Sequence, residues 1–176
     1  AGLTAEGDSK VLLMKTTSEL IKGLDKQSMI KTKLMSFLPK DIANSFMNRE
    51  KMILTNLAIA TQKSGNYYDV WMDTHSQLVQ DAARAYCDRV ILDEFDKHHN
   101  VPGVENLREY FMLDCITRDA LWYCSHNEIL PRNMRYIIDR KLQLENEIMK
   151  VKDQYLDLFD IPDHMMYAPM ANYKPY

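Results

Sequence analysis

Trp71–His98 reads WMDTHSQLVQDAARAYCDRVILDEFDKH, and its periodicity decides the fold. The stretch contains neither Gly nor Pro. Trp71, Leu78, Ala82, Ala85 and Leu92 recur at spacings of three, four and seven, with Val79, Tyr86 and Val90 beside them. That is the pattern of a helix buried along one face. Ala82, Ala83 and Ala85 let a neighbouring helix approach closely. Asp81, Arg84, Asp88 and Arg89 place opposite charges at helical spacing, each exposed pair worth about 0.3 kcal/mol. The packed stripe, rather than the charges, is therefore expected to hold this helix as the spine of a bundle.

Working outward, Ser45–Lys63 predicts a second long helix with Phe46, Met47, Met52, Ile53, Leu57 and Ile59 as core candidates, and Gly65-Asn66 makes the turn into the spine. Before it, Asp25–Asn44 mixes lysines with apolar residues and Pro39, and reads as a connector. Its lysines suit a solvated surface. Thr4–Lys22 reads as a loop and a helix, with Asp8 placed to cap it, Val11, Leu12, Leu20 and Ile21 as its contacts and Gly23 as its stop. Beyond the spine, Val104–His126 predicts a helix that turns Leu107, Phe111, Cys115, Leu121 and Trp122 inward. Pro131–Phe159 predicts the last long helix, with Met134, Ile137, Ile138, Leu142, Ile148, Val151, Tyr155 and Phe159 along its apolar side. The charges from Arg140 to Asp153 read as a solvated face.

Composition agrees with an all-α chain. Among 176 residues only 5 are Gly and 6 Pro, while 12 are Met, which packs well in helices. A formal charge of −3 gives no electrostatic ground for nucleic acid or an anionic membrane as partner. No apolar run reaches the roughly 20 residues of a membrane span. Cys87, Cys115 and Cys124 have no close-pair spacing and are expected as reduced, packed thiols in a reducing compartment. His98 and His99 are adjacent and diverge, and Cys124 and His126 are two apart on a helix, so neither pair reads as a metal site or a nucleophile with its base. The chain begins at Ala1 without an initiator Met, which points to processing or truncation and to membership of something larger.

The run QLVQDAARAYCDRVILDEF (77–95) resembles the helix in the C-terminal half of acyl-CoA oxidases that commonly carries an ALARAxxERxVLEAF-like pattern. Two further stretches resemble the same family, in the right order. Thr4-Ala5-Glu6-Gly7-Asp8-Ser9-Lys10-Val11-Leu12 is similar to its TxEGDNTVL-like motif, and Phe159–Ala171, FDIPDHMMYAPMA, to its AFGIPDxLLxAPIA-like close. Residues 46–79 also resemble the paired helices of the oxidase C-terminal domain. The resemblance implies a helical bundle of about five main helices ending in an extended tail. Its expected layout is a loop and helix (1–24), the connector (25–44), the bundle (45–160) and the tail (161–176). The tail's prolines halt a helix and favour an extended course docked over the bundle.

By the same resemblance Glu6 is the catalytic base. It would take the pro-R α-proton of a fatty acyl-CoA while hydride leaves Cβ for the N5 atom of FAD. Such chemistry needs a carboxylate held within contact distance of a proton made acidic by a thioester, and a poorly hydrated pocket raises that base's pKa. Gly7 would keep the backbone clear of the ligand, and Gly7, Asp8 and Lys10 would line the cofactor site. The family's N-terminal helical region and β-rich middle domain are absent from this sequence. A companion chain would therefore hold most of the FAD, in a homo- or hetero-oligomer. The family implies a peroxisomal setting, although Lys174-Pro175-Tyr176 is no Ser-Lys-Leu-type address, and a mitochondrial or other intracellular assembly is the alternative. A second reading is a structural or interaction subunit that kept the fold without the chemistry. Ala5 in place of an aromatic residue, and Ser9-Lys10 in place of Asn-Thr, favour it.

Overall fold

Apolar stripes at three- and four-residue spacing need partners, and in the computed structural model they find them on neighbouring helices. The structure describes residues 9–23 and 42–157, the side chain of Ala43 excepted. Along the chain run α1 (Ser9–Lys22), α2 (Ile42–Ser64), α3 (Ser76–Lys97), α4 (Val104–Arg118), α5 (Ala120–Ser125), α6 (Met134–Lys150) and α7 (Lys152–Asp157). A turn of π-helix (Asp69–Thr74) precedes α3, and a turn of 3-10 helix (Pro131–Asn133) precedes α6. No strand occurs among the described residues. The fold is an all-α helical bundle.

The spine has partners on both sides. α1 and α2 pack on α3 and on each other, α4 leaves α3 to pair with α6, and α5 closes the end of α4. On the α1 side, Leu57, Val70, Trp71 and Val79 form one buried cluster with Met14 and Ile21 against it. Ile53, Leu54, Ala82 and Ala85 form another, beneath Leu20. The larger core gathers Phe46 from α2, Leu92 from α3, Leu113, Cys115 and Ile116 from α4, Tyr123 from α5, and Ile137 and Leu144 from α6. Gly65, at φ 64°, makes the left-handed turn after α2 that its sequence predicts.

Three of the long helices break where the pattern alone predicts continuity. The spine does not run unbroken from Trp71. The His75 N–H reaches back five residues to Val70 O at 2.9 Å, which widens the turn and buries both Val70 and Trp71. Asp119 leaves helical geometry (φ −109°, ψ 28°) and splits Val104–His126 into α4 and α5. The register shifts with it, so Leu121, expected inside, is 85% exposed while Tyr123 is fully buried. Val151 (φ −119°, ψ 20°) breaks the last helix. On α6, Ile138 and Leu142 face outward, and Leu144 takes the core position. Its face is not simply solvated either: Arg140 and Lys141 reach across to Glu109 and Asp114 of α4 at 2.8 and 2.5 Å. At the other end of the chain Val11 of α1 is exposed. Phe159, the tail and the connector from 24 to 41 lie outside the described residues.

Candidate functional site

The expected base Glu6, with Gly7 and Asp8, lies outside the described residues. Lys10 is exposed on the first turn of α1. The structure does define the helix that receives the motif. Thr17 is buried in α1 and its hydroxyl lies 2.6 Å from Val79 O of α3, closer than the 3.1 Å to Leu13 O of its own helix. Leu20 and Ile21 pack one turn further along on Ile53, Leu54, Ala82 and Ala85. The alanines predicted to permit close approach thus receive α1.

A second set of polar residues, unread in the sequence, is buried between α2, α3, α4 and the turn to α5. Asp88 is expected on the surface of the spine but is only 6% exposed. Its Oδ2 accepts from Arg49 Nη1 at 3.2 Å and from Arg118 Nη2 at 2.5 Å. Asp119 Oδ2 lies 3.1 Å from Arg49 Nη2 and 3.0 Å from Arg118 Nη2. Two arginines thus face two aspartates, and their formal charges cancel. Burial works against the charge on Arg118, yet Asp88 and Asp119 outweigh it and raise its pKa. The Arg49 guanidinium also lies about 6 Å from the ring centres of Trp122 (6.0 Å) and Tyr123 (5.9 Å). Arg49 Nε and the Tyr123 hydroxyl find no hydrogen-bond partner among the described residues. Next to this set, Arg89 pairs with Glu50 of α2 and, at 2.6 Å, with Asp93.

This set holds helices together and offers no chemistry of its own. Burial, reinforced by Asp88, pushes the Cys115 thiol up to about 12, so it stays protonated and unreactive near neutrality. Burial pushes Tyr123 up as well, against the opposing pull of Arg49. Cys124 and His126 do not form a nucleophile and base. The His126 ring stacks on Trp122 at 4.4 Å, and its Nδ1 meets Trp122 O at 2.9 Å. His99 Nδ1 lies 2.9 Å from Asp96 O. Among the described residues no cluster of His, Cys, Asp or Glu could hold a metal ion, and no helix is long and apolar enough to cross a membrane.

The chain is 22% identical over 206 aligned positions to the peroxisomal acyl-coenzyme A oxidase 2 of Arabidopsis thaliana. The chain is similar to an acyl-coenzyme A oxidase. The likeness to that oxidase takes in 96% of this chain but 30% of the relative's length. No family model matches, and no solved structure matches.

Proposed function

We propose that this chain is the C-terminal helical part, or a subunit, of an FAD-dependent acyl-CoA oxidase. The reaction converts a fatty acyl-CoA and O2 to the trans-2-enoyl-CoA and H2O2. The observation that supports this reading is the extent of the likeness, 96% of the chain and not the spine alone. In this reading Glu6 is the base that removes the α-proton, and the chain contributes contacts between subunits. α1, which follows the motif, is pinned to α3 through Thr17. A companion part supplies the N-terminal helical and β-rich domains, which fits a chain that spans 30% of its relative. The assembly belongs in the peroxisome on the same likeness.

In this reading Lys10, exposed on the first turn of α1, offers a cation to a flavin phosphate. Gly7, Asp8 and Lys10 would hold that end of the cofactor. When bound, FAD supplies the two-electron oxidation of the Cα–Cβ bond. The chain's own part is to receive the proton at the Glu6 carboxylate and to keep that carboxylate in place.

The test is Glu6→Gln in the natively purified particle. Acyl-CoA oxidation is expected to fall at least about 100-fold, with the helical circular dichroism and melting temperature unchanged; full activity would remove the base from this reading. The rival, a non-catalytic structural subunit, draws on Ala5, Ser9 and Lys10. A particle with no oxidised-flavin absorption band, and no band that bleaches with acyl-CoA under anaerobic conditions, would favour the rival.

A further inference from the structure

α6 carries apolar residues on two faces, and the bundle uses one of them. Ile137 and Leu144 are buried in the larger core, where α6 packs on α4. Ile138, Leu142 and Met149 are 44%, 53% and 59% exposed. On a helix of 3.6 residues per turn these three fall within about 40° of arc, roughly 130° round from Ile137 and Leu144. Such a strip loses free energy to water until an apolar surface covers it.

The charges within the strip say what kind of surface fits. Arg135, Ile138, Leu142, Glu145 and Met149 follow one another at steps of three, four, three and four, the seam spacing of two helices packed side by side. Arg135 and Glu145 are both exposed and opposite in sign. They are centred on position 140, and so are Ile138 and Leu142. A twofold axis through that point, with two copies of α6 antiparallel, sets Ile138 of each copy against Leu142 of the other. It also sets Arg135 of each copy against Glu145 of the other. The strip is thus complementary to itself, as a twofold contact requires.

A parallel pairing in register would instead put Arg135 on Arg135 and Glu145 on Glu145, which like-charge repulsion opposes. The charges that flank the strip near the axis are already paired within each copy, Asp139 with Arg135 at 3.1 Å and Lys141 with Asp114 at 2.5 Å. A guanidinium has five N–H donors, so Arg135 can hold Asp139 and still reach a second carboxylate.

We propose that this strip is an interface between two copies of the chain, with α6 lying antiparallel on α6 of the second copy about position 140. The contact is independent of whether Glu6 is catalytic. Sedimentation equilibrium on the full chain tests it. The unsubstituted chain is expected to form a dimer, and Arg135→Glu and Glu145→Arg are each expected to weaken that dimer at least about tenfold. Both side chains are exposed, so helical circular dichroism and melting temperature are expected to stay unchanged. An equimolar mixture of the two variants is expected to recover most of the lost affinity, because each reversed charge then meets its opposite. A chain that stays monomeric at every concentration, a dimer indifferent to both substitutions, or a loss that mixing does not repair would overturn the proposal.

Discussion

From Val79 to Ala85 the spine helix offers valine and alanine to α1 and α2, whereas from Asp88 to Leu92 it offers an aspartate and an arginine to α2 and the α4–α5 turn. The first half is joined by close approach: Ala82, Ala83 and Ala85 are at most 1% exposed, and Thr17 adds a polar tie to Val79 O. The second half is joined by charge. Burying Asp88 and Arg49 costs desolvation that their attraction must offset, but an ion pair accepts few geometries. Apolar packing brings the helices of the first half together, and the charges of the second select how α2, α3 and the α4–α5 turn fit.

The ionic half should break most sharply. Asp88→Ala leaves Arg49 buried without its carboxylate and is expected to cost about 3–5 kcal/mol, read as a shift in the denaturant midpoint. A loss below 1 kcal/mol would mean that Asp119 alone satisfies both arginines. In the apolar half, Ala82→Leu forces extra methylenes into the seam with α1 and α2. It is expected to cost about 1–3 kcal/mol and to raise hydrogen exchange in α1 before α6.

Alkali sharpens the contrast further. Cys115 and Tyr123 hold their protons more tightly folded than unfolded. Their contribution is complete below the unfolded thiol's pKa of about 8.5. It is lost as pH rises towards the folded value, because the unfolded chain gives up its protons first. Denaturant midpoints should therefore fall from about pH 9 upwards, and Cys115→Ala should flatten part of that slope. The smallest effect is expected at the exposed pair of the same helix: Arg84→Ala, which removes a 3.4 Å contact to Asp81, should change stability by less than about 0.5 kcal/mol.

Much of the bundle is readable in the periodicity. Of the stripe from Trp71 to Leu92, Trp71, Ala82, Ala85 and Leu92 are buried as the spacing predicts and Leu78 is partly so, and Phe46, Ile53 and Leu57 of α2 are buried too. The ionic set left a signal as well. Arg49 stands three residues after Phe46 and four before Ile53, and Asp88 three after Ala85 and four before Leu92. Each is a charge on a stripe position. Hydrophobic patterning passes over such residues, because on one helix a charge at that spacing looks like the edge of the solvated face. Arg118 and Asp119, the other two members, carry no periodic mark and are brought in by the break at Asp119. Leu121 shows the reverse failure, since one non-helical residue rotated everything after it.

By itself the sequence determined that this chain is an all-α bundle built on the 71–98 stretch, because burying one face of a helix needs only the right residues at the right spacing. It also carries the motif from Thr4 to Leu12 on which the proposed base rests. Tertiary structure alone decided which charges are buried, where the helices break and which apolar residues remain outside. Those outcomes depend on partners 30 and 39 residues away, Arg118 and Arg49 for Asp88, and no local pattern holds that information.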